Sequence, residues 1–168
     1  MREQSEIVEW ANGMVNSVKK EYSLHHPELG AVVLLLQTNG TVMVFPYMDS
    51  QGMNKDIFSK AVKDFVSHSK NAIDAVMCLM QAYTVNISPE DMVKMKERMA
   101  TTHVRDIPGN KEMICAVLET RNVTLVRNIE ISNGNIISDE DWKTMKKLSG
   151  RMANFGLQEP ETVKLGYG

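Results

Sequence analysis

The residues best suited to chemistry lie in one polar stretch, TTHVRDIPGNKE, which spans residues 101–112. It contains His103, Arg105 and Asp106, and Glu112 stands at its end. A histidine transfers protons near neutral pH, a carboxylate can orient its ring, and an arginine binds anionic substrates. This set would suit a small hydrolase or transferase that uses His103 as its base. Loops are also polar simply because they are solvated, and the sequence favours that interpretation.

Two further spacings match a catalytic pair. Ser17-x-x-Lys20 and Ser67-x-x-Lys70 both have the spacing of a serine nucleophile and its lysine. Each pair lies at a predicted solvated helix end, so we interpret both as surface residues. Glu119 and Arg121 flank a predicted strand end, and we expect them to form a surface ion pair.

The patterns that bind cofactors and metals are missing. Neither G-x-x-x-x-G-K-[ST] nor G-x-G-x-x-G, whose backbone amides would hold phosphates, occurs in the sequence. A structural zinc needs four closely spaced Cys or His ligands. The two cysteines, Cys78 and Cys115, are distant in the sequence and cannot supply them. The adjacent His25 and His26 have diverging side chains, and each cysteine lies in an apolar run. We therefore predict no cofactor, no metal and two buried, reduced thiols.

The composition is that of an ordinary globular protein. The 168 residues are 43% hydrophobic and 24% charged, with a net charge of -2. This length suits one domain, which we assign to residues 1–152, followed by a C-terminal tail at 153–168 that we expect to be loosely held. The charged N-terminus lacks the apolar run of a signal peptide, and no stretch reaches the roughly 18 apolar residues of a membrane span. We predict a cytoplasmic protein.

The first half of the chain predicts two helices around a hairpin. Apolar residues recur at three- and four-residue spacing over residues 3–22 and again over 55–70, which predicts amphipathic helices. Between them, residues 31–36 and 41–47 read as strands. They are joined at Asn39-Gly40, which suits a tight type I′ turn because both residue types tolerate positive φ.

The second half predicts three strands and a short helix. Residues 72–85 form a continuous apolar run, typical of a central strand. A serine, a proline and two acids then predict a helix over residues 89–100. Strands follow at residues 112–119 and 123–131, where apolar and polar residues alternate in the second.

A last helix is predicted near the C-terminus. Ser138 followed by acids is typical of a helix cap, and Gly150 of a helix end. Trp142, Met145 and Leu148 would form its apolar side.

Together these elements predict an α+β fold, with helices packed on a mixed, largely antiparallel sheet of about five strands in the order α-β-β-α-β-α-β-β-α. The NG hairpin after a first helix, and the Pro108 and Glu112 entry into a late apolar strand, resemble small uncharacterised proteins of bacteria and their phages. The resemblance covers residues 1–131 and implies no activity.

Methionine is unusually frequent, with 13 residues. Methionine adapts to irregular surfaces, so clusters of it are typical of binding grooves as well as cores. We predict interface positions at Met43, Met48 and Met53 near the hairpin, and at Met92, Met95 and Met99 on the short helix. For the three on the helix, the spacing by itself favours a core stripe over an interface.

The central strands predict self-association. Residues 31–36, 73–80 and 113–118 are apolar on both faces. Four helices could cover two faces of a small sheet, but two of those predicted are short, and the methionine-rich one would suit an edge. We predict a homodimer through the hairpin region or the helix at 92–99. The leading function is a non-catalytic binding or accessory protein that engages a protein or a small ligand; the alternative is the small enzyme above.

A third possibility is weak nucleic-acid binding. The basic residues near the C-terminus would carry it through phosphate contacts. They are Lys143, Lys146, Lys147 and Arg151. The overall charge gives this function no support.

Overall fold

The computed structural model of the chain describes residues 1–25, 27–28, 30–48, 52–85, 87–146 and 153–158. This part of the chain contains three α-helices and one antiparallel sheet of seven strands. In chain order the elements are α1 (Gln4–His25), β1 (Ala31–Gln37), β2 (Val42–Tyr47), α2 (Lys55–Ser69), β3 (Ile73–Thr84), α3 (Met92–Thr101), β4 (Lys111–Thr120), β5 (Thr124–Ser132), β6 (Asn135–Asp139) and β7 (Lys143–Met145).

The sheet has the strand order β2-β1-β3-β4-β5-β6, and β7 also pairs with β5. Every pairing is antiparallel. The predicted α+β class and the antiparallel character are confirmed. The sheet has more strands than the five predicted, and the predicted element order holds only as far as β5.

The predicted last helix is wrong, because residues 135–139 and 143–145 are strands. Asn133 and Gly134 both have positive φ, 48° and 80°, and form a tight turn that folds β6 back onto β5. Asp139 faces Arg127 instead of capping a helix. The remaining positions of that prediction, Leu148 and Gly150, lie outside the described residues.

The predicted first hairpin is confirmed, but its turn is not type I′. Gly40 has φ 90°, whereas Asn39 is not among the residues with positive φ. The Gly40 amide donates to the Gln37 carbonyl at 2.9 Å, and the side chain of Asn39 accepts from the Thr41 amide. These contacts make a three-residue loop with glycine in the left-handed position.

Both faces of the sheet are covered by the chain itself. Leu34 and Leu36 of β1 pack with α1 on the first face, and Val33 and Leu35 pack with α2 on the second. The buried side chains of the two helices are Ile7, Ala11, Val15 and Tyr22 in α1, and Phe58, Ser59, Val62 and Val66 in α2. A second copy is therefore not needed to cover a face of the sheet, and the predicted self-association stays a prediction.

The segment at residues 153–158 completes the second face. Phe155 and Leu157 are buried in the core formed by α2 and the sheet. The carboxylate of Glu119, itself buried in β4, accepts hydrogen bonds from the backbone amides of Phe155, Leu157 and Gln158 at 2.7, 2.5 and 3.2 Å. This segment is firmly held, contrary to the expectation of a loose tail.

Arg121 does not pair with Glu119, so the predicted surface ion pair is wrong. The Arg121 guanidinium donates to the carbonyls of Lys70 and Ile73 at 2.6 and 3.0 Å, where α2 leads into β3. Carbonyls at the C-terminal end of a helix carry partial negative charge. Arg121 therefore stabilises this connection.

One end of the sheet carries the long connection that contains α3. At this end β1 begins, β2 and β3 end, and β4 begins. We call it the α3 end. Residues 85–110 leave the sheet here, and Thr84 opposite Lys111 closes their base.

Candidate binding site

Three residues of the proposed catalytic loop lie in one short turn, where the Asp106 amide donates to the His103 carbonyl at 2.9 Å. His103, Arg105 and Asp106 are exposed around a short 3-10 turn. Glu112 is half-buried in β4 and accepts a hydrogen bond from Gln81. Within the described part of the chain, no hydrogen bond joins His103 to a carboxylate, so the catalytic alternative has no geometric support.

Helix α3 has no buried side chain. Met92 and Met99 are 47% and 46% exposed, and Val93 is 70% exposed. The core stripe that its spacing favoured is therefore not formed. A helix normally buries one apolar face, and helices shorter than about 12–15 residues are marginally stable alone in water.

One side of α3 contacts its own connection. Met95, Lys94 and Arg98 line a shallow depression together with Ile87 and Ser88. Met92, Lys96 and Met99 follow one another along an exposed stripe beside Met95, and Val93 and Ala100 lie on the other side of that stripe. We call the five exposed residues Met92, Val93, Lys96, Met99 and Ala100 the free face.

An apolar cleft of about 260 Å³ opens at the same end of the sheet. Its walls come from α1 through Val18, from β1 through Val32, and from β3 and β4 through Leu79 and Ile114. Glu28, in the connection between α1 and β1, is the one charged side chain among the described residues that line it. The cleft is thus an apolar space with a single carboxylate.

Many of the exposed large apolar side chains belong to elements that meet at the α3 end. Those on elements that begin or end there, directly after them, or in the long connection are Leu24, Val44, Met48, Ile57, Tyr83, Met92, Val93 and Met99. Exposed apolar groups that gather on one surface are typical of interaction sites. The α3 end is therefore the best candidate for a binding surface among the described residues.

The chain matches no protein-family model, no curated protein and no solved structure.

The hairpin methionines do not form one surface with those of α3. Met43 and Met53 are half-buried against the core of the second face, and Met43 sulfur accepts from Gln37 at 3.2 Å. Met48 follows β2 at the α3 end and is 41% exposed. Of these three methionines, Met48 is therefore the one that is exposed at the candidate site.

The main polar cluster of the first face ties α1 to the far strands. Asp139 binds Arg127 through both carboxylate oxygens at 2.9 and 2.8 Å, and it binds Lys19 at 2.5 Å. Asn12 accepts from Arg127 at 3.0 Å and from Trp142 at 2.7 Å. Desolvation acts to raise the pKa of Asp139, but the hydrogen bonds and charges of Arg127 and Lys19 outweigh it and lower the pKa. These residues are engaged with one another, which indicates a structural role.

The two cysteines are free and lie on neighbouring strands of the second face. Desolvation by burial, with a smaller contribution from nearby Cys115, raises the pKa of Cys78 to about 12. Burial also raises the pKa of Cys115, which is half-buried. Both thiols are poorly ionised at neutral pH and are unsuited to act as nucleophiles.

The two proposed nucleic-acid residues that the structure describes, Lys143 and Lys146, do not lie on a helix. Lys143 lies in β7 and pairs with Glu140 at 3.2 Å, and Lys146 is exposed just after it. Lys147 and Arg151 fall outside the described residues. Across the ranges that the structure describes, no three His, Cys, Asp or Glu side chains are grouped as metal ligands, and no helix is long and apolar enough to span a bilayer.

Sequence reasoning pointed to the methionines of α3 but missed their partners in the site. Lys96 lies within the apolar stripe of α3. Helical spacing alone could have placed it there, because it is four residues after Met92 and three before Met99. Glu28 and the cleft gave no local signal, because the cleft forms only when α1 and four strands meet.

Proposed function

We propose that this chain is a non-catalytic binding or accessory protein of bacterial or phage type, acting in the cytoplasm as a homo-oligomer that engages protein through its α3 end. The observation that carries the proposal is that α3 is an amphipathic helix without a buried side chain. A helix of this length gains most of its stability from packing its apolar face. A bound chain would supply that packing.

The charge of α3 supports a protein partner. The helix carries Lys94, Lys96 and Arg98 against Glu97, whereas the whole chain has a net charge of -2. An apolar stripe beside basic residues fits a groove with an acidic rim, the arrangement in which amphipathic helices dock on proteins.

Hydrogen exchange of the α3 amides tests the proposal. In dilute protein we expect these amides to exchange quickly, because only local hydrogen bonds protect them. We expect protection to rise as the protein is concentrated or as a binding partner is added. Strong protection of α3 in a dilute monomer would contradict the proposal, because the helix would then need no partner.

A pair of matched variants localises the effect. Met92→Ser with Met99→Ser removes apolar surface from α3, and we expect the concentration-dependent protection to disappear. Met145→Ser is the control, because Met145 is 39% exposed on β7, away from the α3 end, and should leave the protection unchanged. Equal effects of the two changes would argue against a specific role for α3.

A further inference from the structure

We propose that the partner at the α3 end is a second copy of this chain, and that the free face of each α3 docks in the apolar cleft of the other copy. This inference rests on the proposed function and specifies its partner. It commits to a reciprocal contact between two surfaces that the structure places at the same end of the sheet.

The two surfaces match in chemistry. The free face is apolar except for Lys96, and the cleft is apolar except for Glu28. Neither Lys96 nor Glu28 has an ion pair with another described residue. Docking the helix with Lys96 at Glu28 would pair the single cation with the single carboxylate. A charge pair at the edge of an apolar contact sets its register and excludes wrong partners.

The two surfaces also match in size. Met92, Lys96 and Met99 follow one another along one stripe of α3 and span roughly 10 Å at a rise of about 1.5 Å per residue. A cleft of about 260 Å³ compares with roughly 150 Å³ for a cavity that holds benzene. It therefore has room for about two methionine side chains, the number that the stripe offers.

Symmetry makes the contact self-limiting. Because each copy carries both surfaces at one end, a two-fold axis through that end lets each copy give and receive a helix. Such an isologous pair closes on itself and leaves no free docking surface. Leu24, Met48 and Tyr83 would lie around the contact and add to the roughly 800 Å² per partner that stable interfaces bury.

A charge swap tests the contact directly. We expect Glu28→Lys and Lys96→Glu each to raise the dimer dissociation constant by about tenfold or more in sedimentation experiments, because like charges then face each other in both contacts. In an equimolar mixture of the two variants every contact regains opposite charges, so the mixture should form heterodimers with the affinity of the original protein.

The control is Lys94→Glu, which makes the same charge change on the side of α3 that faces Ser88. It should leave the dissociation constant within about twofold of the original. Thermal unfolding of each variant checks that the fold is intact. Mixing the two variants cannot repair a chain that fails to fold. Recovery of dimer affinity in the mixture would therefore show that each single change weakened the contact and left the fold intact.

Three results would overturn the inference. The first is an original protein that stays monomeric at all concentrations, the second a mixture that does not recover, and the third a Lys94→Glu effect as large as that of Lys96→Glu. Recovery only when Glu28→Lys and Lys96→Glu are combined in one chain would place α3 in its own cleft and would also refute it. A protein that stays monomeric would also remove the homo-oligomer from the proposed function, and α3 protection would then rise only when a different protein partner is added. The other results leave the α3 exchange test unchanged, so the proposed function can stand with a different contact.

Discussion

The buried carboxylate of Glu119 offers the sharpest test of the packing. It accepts three backbone hydrogen bonds from residues 155–158, and each bond to a charged acceptor contributes about 1.5–3 kcal/mol. Glu119→Gln keeps the size of the side chain but replaces one acceptor oxygen by an amino group. That group faces a backbone donor, so at least one strong hydrogen bond is lost and a buried donor is left without an acceptor.

We expect Glu119→Gln to lower the free energy of unfolding by about 3 kcal/mol. For a chain of this size the loss corresponds to a fall in Tm of roughly 6–12 °C. Urea unfolding gives the free energy, and hydrogen exchange at Phe155 and Leu157 should show faster opening of the segment. Glu130→Gln is the matched control, since Glu130 is a half-buried carboxylate of β5 whose 3.7 Å contact with Lys111 should contribute less than about 1 kcal/mol.

Truncation after residue 152 completes a double-mutant cycle. It removes the buried side chains of Phe155 and Leu157, each worth about 1.5–3 kcal/mol, and it removes the three donors. In the shortened chain Glu119→Gln should cost nothing or even stabilise, because a carboxylate without donors is harder to bury than an amide. An equal cost of Glu119→Gln in the full and shortened chains would refute the reasoning.

Two further predictions concern ionisation. The pKa of Asp139 is lowered in the folded state, so its ion pairs stabilise the fold above the unfolded pKa of about 3.9 and are lost as the pH falls through the lower folded pKa. Asp139→Asn should therefore cost about 1–2 kcal/mol at pH 7 and progressively less below pH 4 in urea unfolding, and a cost independent of pH would contradict this. Burial raises the pKa of Cys78 to about 12, so a thiol reagent at pH 8 should label it only after unfolding. Mass analysis of peptides identifies the labelled cysteine. Rapid labelling of Cys78 in the native protein would contradict this prediction.

Local signals predicted the elements up to β5. Helical spacing in α1 and α2, and apolar runs in β3 and β4, agree with the structure because each such pattern has one way to bury its apolar side. The last helix failed because Ser138 and the acids after it suit a helix cap in isolation. Their actual partner, Arg127, comes from a neighbouring strand, and only the turn at Asn133-Gly134 brings it close.

The predicted dimer stays a prediction, but the burial of the central strands no longer supports it. The strands are indeed apolar on both faces, yet α1 covers one face and α2 with residues 153–158 covers the other. The cover from residues 153–158 was missed because it depends on Glu119, whose backbone partners lie far along the chain. Sequence patterns report which surfaces need covering, whereas the covering segment is set by tertiary contacts.

The pairing of Thr84 with Lys111 has a consequence for how this protein can change over time. Because this residue pair already joins β3 and β4 at the base of the loop, the loop that carries α3 can be lengthened, shortened or exchanged without altering a strand pairing. Mutations in α3 escape the constraints of the core, whereas Ile107 further along the loop is buried and does not. A lineage with this architecture can acquire a new recognition helix while its scaffold stays the same.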